Sequence, residues 1–321
     1  MVFESFIRGL ETMNQAVVIP CYNVADHIRE VILTLPSGLD HIIVVDDACP
    51  QHSGKIVEEI ADDRIHLLYH EKNQGVGGAV LTGYQKALDL GCDIVVKMDG
   101  DGQMDPACLE DLIEPLVRDE ADYTKGNRFH DFQALRSMPK IRLIANNIMS
   151  FSAKVFSGYW NIMDPANGYT AIHRRALEKL DLRKIARRYF FETDMLHHLY
   201  LINAAVQDIP MPAQYGDEKS SFTAREALFQ FPPRLFYGLI KRIFLRYFIY
   251  DFNMASVYIL LGLPLFLWGL IFGIVEWVDS YVTGAGKPAG TVMLAALPLI
   301  ISFEMLLQAI SIDIQLVPKK K

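Results

Sequence analysis

Along the first hundred residues, apolar and polar positions repeat with two different periods. "AVVIP" (16–20), "HIIVVDD" (41–47), "RIHLLYH" (64–70) and "CDIVVKMD" (92–99) are short runs rich in β-branched residues, too short for independent helices and suited to strands. "ADHIREVILTL", "SGKIVEEIADD" and "GAVLTGYQKALDLG" lie between them with helical spacing, the last closing on a Gly91 cap. Strands alternating with helices predict βαβ units and a mostly parallel sheet covered on both faces. In such sheets, ligands bind beyond the carboxyl ends of the strands. Pro20 to Asn23, Asp46 with Asp47, and Asp99 with Asp101 all fall at those ends.

Further along, the pattern changes. In "RLFYGLIKRIFLRYFIY", Arg234, Lys241, Arg242 and Arg246 fall on one helical arc, with Phe236, Ile240, Ile243, Phe244 and Tyr247 opposite. This is the composition of a helix lying in the headgroup plane, with a break expected near Pro232 and Pro233. Residues 255–275 then carry no charge and are long enough to cross a hydrocarbon core of about 30 Å. A second span is expected over 290–312, with Glu304 turned toward a helix because a carboxylate facing lipid is costly. The link "EWVDSYVTGAGKPA" is short, so the two spans predict a hairpin. Lysines and arginines precede the first span, and Lys319, Lys320 and Lys321 follow the second, whereas the link holds only Lys287. Both ends are therefore expected in the cytoplasm, in a multi-pass protein of the cytoplasmic membrane. The predicted organisation is a catalytic domain over 1–226, amphipathic juxtamembrane helices over 227–253, and a transmembrane hairpin with a basic tail over 254–321.

The hydrophobic content of 51% and the positive mean hydropathy of +0.17 agree with membrane segments. A net charge of −7, with its dense basic cluster beside the first span, argues against a nucleic-acid binder. Cys21, Cys49, Cys92 and Cys108 are too dispersed for a paired zinc motif and read as packing residues. Gly269 and Gly273 form a G-x-x-x-G in the first span, a sign of helix association, and the oligomeric state, a homo-oligomer among the options, stays open.

Asp99 and Asp101 stand two apart at a strand end, where they repel unless a cation neutralises them. Mg²⁺ or Mn²⁺ is suited, taking one or two carboxylates and completing its shell with phosphate oxygens and water. Loops also produce D-x-D by chance. Asp105, before Pro106, reads as the N-cap of "PACLEDLIEPLV". "NQGVGGAVLTG" (73–83) lacks the third glycine of a dinucleotide fingerprint, since Val80 stands there. Its glycines suit a tight turn and close approach to a ligand. Adjacent His197 and His198 point about 100° apart on a helix, which favours structural roles over a shared metal.

Several segments taken in order resemble the family 2 glycosyltransferases of the GT-A fold: "VVIPCYN", "VVDDACPQHSG", "NQGVGGA", "DGDGQMDP", "KGNRF", "DPANGYTAIHRRAL" and "FFETDML". The resemblance covers roughly 14–225 and implies a GT-A catalytic domain, α/β and Rossmann-like. The basic amphipathic stretch and two-span hairpin that follow resemble those of the polyisoprenyl-phosphate glycosyltransferases. These enzymes move a sugar from a nucleotide-sugar donor to a polyisoprenyl phosphate, usually with inversion.

The resemblance implies that Pro20, Tyr22, Asn23, Asp46, Asp47 and Gly75 line the donor. Asp99, Gly100 and Asp101 would hold its metal-bound diphosphate. Arg128, Arg142 and Lys219 would contact donor or acceptor phosphates. Asp164 is the candidate to orient or deprotonate the acceptor, and Glu192 with Asp194 to position sugar hydroxyls or the acceptor. Cys49 and Gln51 stand where the family has Ser and Asp, and Asn167 and Thr170 where it has Ser and a frequent Arg. Donor base and sugar contacts are therefore open at those places. Two other readings are a transferase extending a lipid-linked or polymeric glycan, and an inactive membrane-anchored binder of nucleotide sugars.

Overall fold

A computed structural model describes residues 13–130, 140–212 and 224–320, without the side chains of 140–146 and 224–231. The chain forms two compact units, residues 1–239 with 318–321, and residues 240–317.

The first unit is built on strands β1 (Gln15–Cys21), β2 (His41–Asp46), β3 (Ile65–Tyr69), β4 (Ile94–Lys97), β5 (Tyr123–Asn127), β6 (Thr170–His173) and β7 (Val206–Pro210). The four expected strands are thus present, each end within two residues of its sequence pattern. The helices are α1 (Ile28–Leu33), α2 (Ser53–Glu58), α3 (Val76–Asp89), α4 (Leu109–Val117), α5 (Lys140–Ser157), α6 (Arg174–Leu177) and α7 (Phe191–Leu201). Gly91 follows α3 with φ of 76°, the left-handed conformation that ends a helix cheaply when no Cβ is present. Asp105 accepts a hydrogen bond from Ala107 N at 2.9 Å, with Pro106 opening the 3₁₀ turn that leads into α4.

The sheet order is β3-β2-β1-β4-β6-β5-β7, parallel except for β6, which runs antiparallel to both β4 and β5. Val17, Ile19, Ile42, Val44, Ile94 and Val96 are fully buried in the main core. The reversed strand matters for function. Thr170, the first residue of β6, pairs with Lys97 near the end of β4 and with Lys125 in β5. The loop before β6 is thereby delivered to the crevice at the carboxyl ends of the parallel strands.

Helix α8 (Ala224–Phe244) continues into a π-helical turn, Leu245–Tyr250, and the second unit is completed by α9 (Met254–Thr283) and α10 (Ala289–Gln315). The expected break at Pro232 and Pro233 does not occur: the helix is continuous through both, since proline's φ is itself helical. Helix α9 starts on a capping box of Asn253 and Ser256, and it ends at Gly284 with φ of 68°. It outruns the apolar stretch because neither proline nor glycine stands between Val275 and Gly284, and Glu276 and Asp279 are balanced by Lys287. Both α9 and α10 are apolar and long enough to cross a membrane. They approach closely where Gly269 faces Leu299 and Ala295.

Two expectations for this region are corrected. Arg242 leaves the basic arc: it is 2% exposed and bidentate to Asp313, at 2.7 and 3.1 Å, and Tyr247 donates to the same carboxylate. Tyr247 is correspondingly buried, while Phe236, Ile240 and Phe244, each four apart, stay exposed. Glu304 does not pack beneath α9. The facing positions are taken by small residues such as Ser302 and Ala309, and Glu304 lies exposed, accepting a bond from Gln308 Nε2 at 3.0 Å.

Candidate active site

The ends of β1 and β2 are organised by two saturated carboxylates. Asp46, last in β2, accepts from Cys49 N and Gly54 N, both at 2.7 Å. Asp47 accepts from Gln74 N and Gly75 N at 2.8 Å, and its Oδ1 lies 2.7 Å from Nδ1 of buried His70. These bonds fix the "NQG" turn across strand ends, with Gly75 at φ of 90° and a Cβ there only 2.7 Å from the Arg187 carbonyl oxygen. Only glycine meets both demands. Pro20 and Cys21 end β1, both buried, Tyr22 after them is exposed, and Asn23 takes a left-handed φ of 58°. Cys49 does the work of a small polar residue, its Sγ accepting from Asn23 N at 3.2 Å. Burial pushes its thiol up, but hydrogen bonds from Ser53 and the backbone bring it below its ordinary value.

At the end of β4 stands a charged cluster. Lys97 is 1% exposed, with Nζ 2.7 Å from Asp99 Oδ1 and 3.7 Å from Glu192 Oε1. Burial alone would favour its neutral form; the carboxylates of Asp99 and Glu192 outweigh that and hold its pKa above the ordinary value. Gly168 packs over the pair: a Cβ there would collide with Lys97 Nζ and lie 2.8 Å from Asp99 Oδ2. Gly100 backs onto Ile28, Ile19 and Val24, and Asp101 Oδ1 accepts from Gln103 N at 3.0 Å. Among the described residues, no three His, Cys, Asp or Glu side chains gather into an all-protein metal cage. Asp99 and Asp101 do fit a Mg²⁺ or Mn²⁺ ion that takes the rest of its shell from phosphate and water: they are hard oxygen donors, and the Asp99 side chain is 30% exposed.

A second cluster lies at the end of β5. Arg128 grips Asp164 through Nε at 2.7 Å and Nη2 at 3.2 Å, and Asp164 is 1% exposed while Arg128 keeps a third of its side chain accessible. Lys125, fully buried, donates to the Asn167 carbonyl, and burial pushes its pKa down to about 8. Asp208 in β7 accepts from Met163 N at 2.6 Å, and burial pushes its carboxyl up to about 6. The acidic pair of α7 separates: Glu192 faces Lys97, whereas Asp194 Oδ2 accepts from Ala186 N at 2.7 Å and holds the preceding loop. His197 is buried and stacked on Phe156, and His198 Nδ1 lies 3.0 Å from the Asp194 carbonyl. The Arg142 side chain and all of Lys219 lie outside the described residues.

Residues 16–181 match the family model for glycosyl transferase family 2. This chain belongs to that family. The glycosyltransferase is 32% identical to a UDP-N-acetylglucosamine–dolichyl-phosphate N-acetylglucosaminyltransferase of Methanococcus voltae, over 54% of this chain and 74% of that one. It is 29% identical to a polyprenol monophosphomannose synthase of Mycolicibacterium smegmatis, over 68% and 86%, and to an undecaprenyl-phosphate mannosyltransferase of Micrococcus luteus, over 65% and 88%. Among solved structures it resembles glucosyl-3-phosphoglycerate synthase of Mycobacterium tuberculosis in complex with Mn²⁺, UDP-glucose and phosphoglyceric acid. The TM-score is 0.52 at 17% identity, covering 75% of this chain and 83% of that one. The same enzyme has been solved with Mg²⁺ and UDP, at a TM-score of 0.50. At that identity the likeness shows the fold, a GT-A sheet with helices around it.

Sequence reasoning missed four charged or polar residues of the glycosyltransferase's crevice: Lys97, Lys125, His70 and Asp208. A signal existed for the two lysines, since each interrupts a strand and a lysine is seldom fully buried unless paired. His70, directly after β3, and Asp208, within β7, have nothing in their local pattern to mark them.

Proposed function

We propose that this family 2 glycosyltransferase moves a sugar, with inversion, from a UDP- or GDP-linked donor to a polyisoprenyl phosphate at a membrane surface. The observation that supports the reading is a row of charges at the ends of neighbouring strands: Lys97 joins Asp99 and Glu192, and buried Lys125 interacts with both Glu192 and the Asp164 that Arg128 grips, in a chain that also has two membrane-length apolar helices. The relatives named for dolichyl, polyprenol and undecaprenyl phosphate support the acceptor class. Basic residues flanking both apolar helices support a hairpin with both ends in the cytoplasm.

In this reading Asp99 and Asp101 hold a divalent ion, which when bound neutralises charge on the departing nucleotide diphosphate. The "NQG" turn, fixed by Asp47, shapes the donor end, with Pro20, Tyr22, Asn23 and Asp46 around the nucleotide. Arg128 presents a phosphate-binding fork, and Asp164, with both oxygens engaged by that fork, positions it instead of taking a proton. A strong base is unnecessary, because a phosphate monoester with a second pKa of about 6 is largely ionised at pH 7. Glu192 faces the sugar, while Asp194 supports the loop before α7. Arg142 and Lys219 contribute further phosphate contacts.

The test is transfer by the purified full chain to undecaprenyl phosphate from a panel of UDP- and GDP-sugars with Mg²⁺ or Mn²⁺, repeated with Asp101→Asn. A lipid product from the unaltered chain, reduced at least a hundredfold in the variant, is expected. Near-normal transfer by Asp101→Asn would remove the metal assignment.

A further inference from the structure

Lys97 is the unusual element of this site, a fully buried lysine two positions before the first carboxylate of the D-x-D. It ends β4, inside the sheet between β1 and β6, where the pattern of burial otherwise calls for an apolar side chain. Its ammonium is bonded to Asp99 Oδ1 at 2.7 Å and lies 3.7 Å from Glu192 Oε1. Gly168 is required for this arrangement, since a Cβ would occupy the place of Nζ. The ammonium therefore already neutralises a carboxylate that a divalent ion would use, and it repels any dication arriving there. Asp99, Asp101 and Glu192 together carry three negative charges; Lys97, with buried Lys125 beside Glu192, reduces the sum to one, less than a divalent ion brings. A nucleotide diphosphate brings further negative charge and oxygen ligands.

We propose that Lys97 is a positioning residue that makes divalent-metal binding conditional on the nucleotide: it holds Asp99 in the free enzyme, so that metal and nucleoside diphosphate bind together. This rests on the metal-dependent transfer proposed above. Repulsion between an ammonium and a dication on the neighbouring carboxylate, roughly 5 Å apart, exceeds about tenfold in affinity even at the dielectric of bulk water.

The experiment is titration of the full chain in detergent with Mn²⁺, read by the electron paramagnetic resonance of free Mn²⁺, with and without UDP or GDP. In the unaltered protein the nucleotide is expected to tighten Mn²⁺ binding by about tenfold or more. Lys97→Met is expected to bind Mn²⁺ alone about tenfold more tightly than the unaltered protein and to lose most of the nucleotide effect. Lys97→Arg, which keeps the charge, is expected to stay within about threefold of the unaltered protein. Glu192→Gln, which leaves Lys97 wholly to Asp99, is expected to bind Mn²⁺ alone more weakly, so the proposal stays testable if Lys97→Met does not fold. Unchanged or weaker binding of Mn²⁺ alone by folded Lys97→Met, tighter binding by Glu192→Gln, or no nucleotide effect in the unaltered protein would overturn it. Coupled Mn²⁺ and nucleotide binding without any lipid product would instead overturn the transfer reading and leave the role of Lys97 standing.

Discussion

Asp164 and Arg128 offer the sharpest division between two kinds of acid chemistry. If Asp164 acts only by holding Arg128, replacing either residue removes the same contribution, and replacing both removes it once. Two bonds join them, at 2.7 and 3.2 Å, with the carboxylate buried and the guanidinium partly accessible. Hydrogen bonds to charged groups are worth about 1.5–3 kcal/mol each. With the guanidinium partly open to solvent, a coupling of about 3 kcal/mol is reasonable, equivalent to roughly a hundredfold. Asp164→Asn and Arg128→Gln should each lower kcat/KM for lipid-phosphate transfer about a hundredfold, and the double variant should fall no more than about threefold further. The assay is steady-state transfer from a radiolabelled nucleotide sugar, with circular dichroism as the folding control. A double variant near ten-thousandfold down, or an acidic limb of the pH profile abolished by Asp164→Asn, would make Asp164 an independent base and refute the reasoning.

Further consequences concern stability and the packing of the site. Folded Asp208 keeps its proton up to about pH 6, against an ordinary value of 3.8, so the folded state binds more protons between them and stability falls as pH rises from about 4 to 6. Asp208→Asn should remove that fall and raise stability at pH 7.5 by about 1–3 kcal/mol, measured by urea unfolding across that range. Gly168→Ala should weaken nucleotide binding in the presence of Mn²⁺ and lower kcat/KM about tenfold or more, because the new Cβ displaces Lys97 and Asp99; isothermal titration and the transfer assay measure both. Arg242→Met should destabilise the second unit by about 3 kcal/mol by leaving Asp313 buried without its cation, and Arg242→Met with Asp313→Leu should restore most of the loss in detergent unfolding experiments.

The parallel half of the sheet was legible because its strands are nearly continuous apolar runs, and the carboxylates at their ends follow from the geometry of such sheets. The other half was not. Strand β5 reads "YTKGN", where buried Lys125 and Gly126 hide the apolar pattern, and the reversal of β6 is invisible without its partners. The site divided along the same line. Asp99 and Asp101 could be named from spacing and resemblance, but Lys97 could not be joined to Glu192, nearly a hundred residues away, before the fold brought them together. Arg242 misled for a related reason: a helical wheel shows which side a charge faces, not whether Asp313 waits on that side.

The central claim is transfer to a phosphate oxygen of a membrane lipid, and phosphorus NMR of the product tests it most directly. With the purified chain, Mn²⁺, its cognate nucleotide sugar and undecaprenyl phosphate, the lipid phosphomonoester signal should convert to that of a phosphodiester, with a lipid mass greater by one glycosyl residue. A sugar found only on a hydroxyl acceptor, with the lipid still a monoester, would contradict it.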